Sequence, residues 1–420
     1  MSKKYLWYWG SNFCTKSLPI PETNTSKFQP SIIEAGIPWN WKHITLNRYG
    51  AHGITEINDL YGWGWDCMYA DVPIKVPPYY RRVWGCISLT GKGLFKCSGS
   101  KRTGFIKNGH ITNPALKWKD VSRGERHVAA ITESGRLYSW GVNGYGELGR
   151  GRQIERPGRL KPGQVFSYKG RRFNPVEILN GGTDWEKVVC GNAWSAALKE
   201  DGSLWYWPTN NGDGCRDCLP SKPPCKNQYC GPKKIGNNFK SICTTFDSHH
   251  SGYALGKDTT ISTFPNNIGT NTVENTSVLT QLGDGWKQIA YNWYGTGGGG
   301  IKEDGTLWCW GPNYWGELGI NKDKTEVEFS SVPVQTILGG NDWKSVSTGG
   351  YANTKYAIKN DGTLWAWGGN SFNMGIPGLN YEVREPTQIK KDSVGWKMIC
   401  TGGSIDVGTL AIRDVRIDPA

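Results

Sequence analysis

The sequence predicts an all-β protein, a closed β-propeller of seven or eight blades. Three observations predict it. A phrase, Leu-Trp-x-Trp-Gly, recurs along the chain; apolar residues come in short runs of period two bounded by Gly, Asp and Asn; and the two chain ends complement each other. Self-similarity at a period of tens of residues marks a repeat architecture and takes precedence over local reading.

The phrase reads Leu6-Trp7-Tyr8-Trp9-Gly10, Leu307-Trp308-Cys309-Trp310-Gly311 and Leu364-Trp365-Ala366-Trp367-Gly368. Looser copies begin at Leu60, Leu137 and Leu204. Each sits in a longer unit, such as Trp343-Lys344-Ser345-Val346, Tyr356-Ala357-Ile358, Asp361-Gly362 and then Leu364 to Asn370. Alternation over four to eight residues predicts short antiparallel strands. Asp-Gly before Leu-Trp predicts a tight turn, because Gly accepts the positive φ that such turns need. Leu-aromatic pairs at 6, 60, 94, 137, 204, 307 and 364, with a degenerate copy near Ile261, mark eight cycles. At about 52 residues each, a cycle holds about four strands, the content of one blade. Leu60 and Leu94 are crowded and fit one shared blade, hence seven or eight.

The final unit supplies Trp396-Lys397-Met398-Ile399 and Leu410-Ala411-Ile412, then ends where the phrase is due. The N-terminus begins with that phrase. A first strand that completes the last sheet closes a ring and removes its open edges.

The order Trp-x-x-Val, Gly, Ala, Asp-Gly, Leu-Trp-x-Trp-Gly-x-Asn-x-x-Gly-x-Leu-Gly resembles the regulator-of-chromosome-condensation repeat family. Trp140 to Gly149 and Trp310 to Gly319 carry it best. The resemblance covers nearly the whole chain and implies a seven-bladed propeller with N-terminal closure. The eponymous member implies guanine-nucleotide exchange or chromatin binding. Some relatives sense ultraviolet light through surface tryptophans, a signature this chain lacks. The form Asp-Gly-Thr-Leu-Trp-x-Trp-Gly at Asp304 and Asp361 is closer to bacterial and bacteriophage relatives, which implies an assembly protein such as a tail, fibre or decoration component.

The repeat leaves no stretch for a separate domain, so residues 1–420 read as one domain with two loop insertions, 150–172 and 208–234. No apolar run approaches the ~20 residues of a membrane span. No signal-peptide-like stretch precedes Leu6, so synthesis in a cytoplasm is expected, with a virion as one destination. The net charge is +13. The first insertion concentrates it: Arg150, Arg152, Arg156, Arg159, Lys161, Lys169, Arg171 and Arg172 stand against one acid, Glu155. A basic loop on a rigid scaffold steers toward an acidic partner, of which a protein face is expected first. Sparse aromatics there (Phe166, Tyr168, Phe173) speak against nucleic acid.

Of twelve cysteines, Cys190, Cys243, Cys309 and Cys400 sit in strand-like runs and read as core. The second insertion holds Cys215, Cys218, Cys225 and Cys230. Cys-x-x-Cys followed by two more thiols has the spacing of a structural zinc site, with His249 or His250 as a substitute ligand. Disulfides and reduced thiols remain open beside zinc. No cofactor is required by any motif. The glycine run Gly295 to Gly300 lacks the Lys-Ser/Thr of a phosphate loop and precedes a strand. No metalloprotease or nucleophile-elbow pattern occurs, and carboxylates fall mostly in turns, so a non-enzymatic protein is expected. Most of the 22 tryptophans occupy repeat slots. Trp194 and Trp293, with Tyr291 and Tyr294, fall in loops after the Trp185 and Trp286 strands and are the candidate face aromatics, as protein anchors or sugar platforms. The reading favoured is a protein-binding or assembly module of a phage or bacterial complex, able to self-associate. The alternatives are an exchange factor or chromatin-binding protein, and a glycan-binding module.

Overall fold

The computed structural model describes residues 2–12, 26–32, 40–47, 50–64, 70–75, 87–90, 93–96, 116–125, 127–142, 147–149, 167–168, 171–178, 181–192, 194–207, 232–244, 252–264, 277–278, 282–292, 297–349, 353–369, 374–376, 382–390, 393–401 and 407–416. Among them are seven antiparallel sheets of four or five strands and one separate two-stranded hairpin. We number the blades in chain order: blade 1 spans residues 41–75, blade 2 118–177, blade 3 185–236, blade 4 239–278, blade 5 286–335, blade 6 343–388, and blade 7 396–416 with 2–32.

Within a blade the first four strands lie in sequence order, and blade 2 adds a fifth, Ser167–Tyr168, outside Arg171–Glu177. Blade 7 is the exception that closes the ring. Its strands Trp396–Thr401 and Val407–Arg416 continue into Ser2–Asn12 and Ser26–Ile32, with Leu6 opposite Ile412 and Trp7 opposite Ala411. The N-terminal phrase therefore fills the place where the last unit lacks one. The first strand of every blade touches the first strand of the next, and the blade 7 strand Trp396–Thr401 touches the blade 1 strand Trp41–Asn47. These contacts run around all seven blades and place the first strands at the hub.

Seven blades, not eight, result because the Leu94 copy sits in a short hairpin, Ile87–Thr90 with Gly93–Lys96, in the connection between blades 1 and 2. The 34 residues separating Leu60 from Leu94 leave no room for a four-strand cycle beside blade 1's own fourth strand.

The repeated residues explain the packing. Asp304 Oδ1 accepts the Thr306 N–H at 2.9 Å and its hydroxyl at 2.6 Å, and Thr306 Oγ1 accepts the Trp308 indole N–H at 2.7 Å. Asp361, Thr363 and Trp365 repeat the relay, as do Asp201, Ser203 and Trp205. The Asp304 carboxyl is held below its ordinary range, first by the Thr306 side chain and then by its backbone N–H. The intervening glycines, Gly202, Gly305 and Gly362, have φ of 84°, 84° and 82°, as the Asp-Gly turn reading requires.

In blades 3 and 6 the second tryptophan of the phrase is buried against the preceding blade. Trp207 donates its indole N–H to Glu147 O at 2.9 Å and Trp367 donates to Glu317 O at 3.0 Å. Gly149 and Gly319, the last residues of Gly-x-Leu-Gly, lie under those rings: a Cβ there would stand 3.0 Å from the indole nitrogen. Both adopt positive φ, 62° and 68°. Gly375 holds Trp9 in the same way across the closure. The motif is thus an inter-blade socket in which small size and left-handed backbone are both needed. Lys302 lies over Trp286 and Trp308 at 5.2 and 5.1 Å, and Lys359 over Trp343 and Trp365 at 4.7 and 5.3 Å, adding cation–π contacts at the sheet ends. Cys190 and Cys309 are buried in these cores, and Cys243 and Cys400 pack partly against them. Burial pushes the Cys190, Cys243 and Cys400 thiols up to about 12.

Candidate functional site

Strand parity decides which face carries the long connections. All neighbouring strands are antiparallel, so the first-to-second and third-to-fourth connections of a blade emerge at one end. The Asp-Gly turns and the links between blades emerge at the other. Both insertions are third-to-fourth connections. Residues 150–172 leave the end of the strand Leu137–Val142, and residues 208–234 leave the end of Leu204–Trp207. The described strand ends that precede both insertions therefore lie at the same end of their blades as the first-to-second connections.

Arg150, Arg152, Arg156, Arg159, Lys161 and Lys169 lie outside the described residues. Arg171 and Arg172 fall on the fourth strand of blade 2, opposite Val142 and Gly141. Cys215, Cys218, Cys225 and Cys230 also lie outside them, and among the described residues no cluster of His, Cys, Asp and Glu could hold a metal. Trp293 and Tyr294 are outside as well.

Two candidate aromatics are corrected by their burial. Trp194 is 1% exposed and packs on Tyr206 in the core between blades 3 and 4. Tyr291 is 7% exposed, stacked on Tyr253 at 3.3 Å and edge-on to Trp310 at 5.4 Å. Neither offers a surface anchor. Trp194 immediately precedes the second strand of its blade and Tyr291 ends a first strand, where adjacent blades converge and large rings fill the gap.

Among the described residues, exposed aromatics lie elsewhere and include Tyr314, Trp315 and Phe329 of blade 5. Tyr314 and Trp315, 47% and 42% exposed, occupy the two variable positions of Asn-x-x-Gly in blade 5. Their turn is rigidly built. Asn313 is fully buried; its amide donates to Lys322 O and Val327 O at 3.0 and 2.9 Å, and its Oδ1 accepts the Leu318 N–H at 3.0 Å. Glu317 Oε2 accepts the Trp315 N–H at 2.7 Å.

Beside this turn a small recess of about 10 Å3, room for about one water molecule, lies between blades 5 and 6. Pro312, Glu317, Thr348, Thr354 and Lys355 are among its walls. Lys355 is buried and donates to Gly298 O at 2.9 Å. Glu317 is buried, and its Oε1 has no hydrogen-bond partner among the described residues. Burial pushes its carboxyl up, while the Trp315 N–H and the Lys355 ammonium pull it down. In the sequence Trp315 stands at a variable position of Asn-x-x-Gly and carried no functional signal. Glu317 and Lys355 carried no signal, because their proximity arises between blades.

A family model described as the regulator of chromosome condensation (RCC1) repeat matches residues 134–198 and 304–353, and a second so described matches 118–147. The ultraviolet-B receptor UVR8 of Arabidopsis thaliana is 24% identical over 293 residues, covering 63% of this chain and 63% of that protein. RUG3, a mitochondrial RCC1 domain-containing protein of the same plant, is 24% identical over 332 residues, covering 73% of this chain and 65% of that one. The chain thus spans a little under two thirds of the length of these relatives. The structure of Prp20p from Saccharomyces cerevisiae, solved with its binding properties to Gsp1p and histones, superposes with a TM-score of 0.66 at 16% identity, covering 99% of this chain and 92% of that one. At that identity the likeness shows the fold.

Proposed function

We propose, from the premise that this chain belongs to the RCC1 repeat family, that it is a non-enzymatic protein-interaction module that binds through its loop-bearing face. One observation carries the reading. The two longest charged or Cys-rich insertions, 150–172 and 208–234, both leave third strands and so share that face. A scaffold that concentrates its variable connections on one side presents them to a partner, since binding residues gather on loops held by a rigid frame. The basic insertion supplies the attraction to an acidic protein surface. The clean Asp-Gly-Thr-Leu-Trp-x-Trp-Gly repeats favour a partner in a bacterial or viral assembly. The plant and yeast proteins it resembles lend the virion version no support.

The test is affinity capture of the tagged chain from its native lysate, beside versions lacking 150–172 or 208–234. Recovery of a defined protein that is lost with either deletion supports the reading. Capture unaffected by both deletions sinks it. A second reading, exchange on a small GTPase, is favoured by the fold shared with Prp20p. Accelerated nucleotide release from a small GTPase would replace the first reading with it.

A further inference from the structure

Each hub strand opens with a buried aromatic residue, and the ladder to the second strand passes over the residue that follows it. The residue passed over is Glu186 in blade 3 and a lysine in the other six blades. A bulge of this kind re-aims its side chain. The hub strands follow one another around the ring, so these charges form a circle at the end where the Asp-Gly turns emerge. The residue after each second strand lies at the same end. Its N–H is bonded to the carbonyl just before the hub strand, as Glu200 to Asp184 O at 2.9 Å and Asn360 to Asp342 O at 2.8 Å.

From blade 1 to blade 5 the circle neutralises itself. Lys119 Nζ of blade 2 lies 3.9 Å from Glu200 of blade 3, and Lys240 Nζ of blade 4 donates to Glu303 of blade 5 at 2.9 Å. Lys42 of blade 1 donates to Asn58, which donates to Glu133 of blade 2. After Glu186 of blade 3, blade 4 carries Lys257, with the signs exchanged. The next three steps differ. Blade 6 offers Lys287 only the neutral Asn360. Asp414 of blade 7 makes no ion pair with Lys344 among the described residues, and its Oδ1 is buried without a partner among them. Glu56 of blade 1 is taken by Lys4, away from Lys397. Lys287, Lys344 and Lys397 are all exposed and have no hydrogen bond or ion pair among the described residues. Nearby acids are engaged: Asp342 by Lys359 at 3.1 Å, Asp304 and Asp361 by the threonines of their own turns. Asp284, in the link before Trp286, is exposed and offsets one charge at most.

Three uncompensated like charges on consecutive blades attract an anion. Packed sheets stand about 10 Å apart, and lysine carries its charge on a flexible stem, so ammoniums of adjacent blades can close on one group. The residue type selects the anion: arginine's planar fork matches a carboxylate, whereas lysine serves phosphate as a point charge. A nucleic-acid strand needs charge along a groove; a circle gathers it about one axis. We propose that Lys287, Lys344 and Lys397 form a binding site for a compact, multiply charged phosphate compound at the turn-bearing end of the hub. The site lies at the opposite end from the strand ends that precede both insertions, so it stands apart from the protein-interaction reading.

The probes are inorganic tripolyphosphate and inositol hexakisphosphate, titrated by calorimetry into the full chain at about 0.1 M salt. Vesicles of phosphatidylcholine with and without phosphatidylinositol bisphosphate form a second arm. One molecule bound per chain is expected. Binding of the free compounds alone assigns a soluble ligand; added binding to the phosphoinositide vesicles, lost with the same lysines, assigns a lipid headgroup. Lys287→Gln, Lys344→Gln and Lys397→Gln should each weaken binding about tenfold, and the triple variant about a hundredfold or more. Asn360→Glu, which supplies the missing acid beside Lys287, should weaken it about tenfold as well. Arg150→Gln with Arg152→Gln and Arg156→Gln, in the basic insertion, should leave it unchanged. The three lysines are exposed, so their variants should keep the parent melting temperature. No binding overturns the proposal, as do several molecules per chain, which the net charge of +13 would attract without a site. Citrate bound as tightly as tripolyphosphate overturns it, and so does binding lost with the insertion arginines but kept by the triple lysine variant.

Discussion

The interfaces between blades 2 and 3 and between blades 5 and 6 are built from the same repeat, yet one is solid and the other is cleft. Between blades 2 and 3, His127 Nε2 lies 2.9 Å from Ser195 Oγ, and that hydroxyl donates to Glu147 O at 3.1 Å. Glu147 and Glu317 occupy the same position of Gly-Glu-Leu-Gly, and Ser195 and Lys355 the same position of the second strand. What differs is the bulk at one register position and the polarity of the next. A ring there makes core; a glycine or threonine there, followed by a lysine, makes a charged recess.

The largest effect is at the register position itself, where Trp194 packs between blades 3 and 4 and Thr354 borders the recess between blades 5 and 6. Trp194→Ala should cost about 3–5 kcal/mol in urea denaturation, as removal of a buried tryptophan does, whereas Thr354→Ala should cost less than about 1 kcal/mol. Equal costs would mean that the two positions do the same job.

The next effect is a pH dependence from two buried histidines, His127 between blades 2 and 3 and His52 between blades 1 and 2. Burial holds His127 down at about 3, and burial together with the Arg123 charge holds His52 well below its ordinary value. A histidine with a depressed folded pKa lends stability that is fully present above its unfolded value near 6.5. That stability is lost as pH falls from there toward 3, because the unfolded chain binds the proton first. Each histidine can contribute up to about 1.4 kcal/mol per pH unit in that window. Melting temperature against pH measures this, and His127→Gln should flatten the slope. An unchanged slope would place the titration elsewhere.

The socket glycines come third. Gly319→Ala puts a Cβ 3.0 Å from the Trp367 indole nitrogen at a φ of 68° and should destabilise by about 1–3 kcal/mol. Gly149→Ala should do the same, since both interfaces use the same socket; a difference between them would show that the cleft relaxes its frame. The smallest effect is Trp315→Ala, expected within about 0.5 kcal/mol of the parent because the side chain is exposed. A larger loss would show that Trp315 packs as a structural residue despite its exposure.

The repeat order was legible because each phrase encodes its own strand and turn. Asp304 turns the chain, Thr306 ties the turn to Trp308, and all three lie within five residues of sequence. Ring closure was legible for the same reason: Leu6 to Gly10 is a complete phrase at one end, and the unit ending in Leu410 to Ile412 lacks one. The roles of Trp194 and Tyr291 were not. Both read as loop or strand-end aromatics, and only the approach of the neighbouring blade turns them into core. The blade number was half legible, because Leu94 carries a repeat-like pair on a hairpin too short to be a blade.

By itself the sequence determined the all-β class, the repeat, its turns, the closure and the core cysteines, since each depends on contacts made within a unit or on a phrase present or missing. Only the tertiary structure decided that there are seven blades, that the strand ends before both insertions share one face, and that Glu317 and Lys355 line one recess. Those facts come from strand parity and from the packing of one blade on the next. Residues 38 positions apart share a cleft there, which no local pattern records.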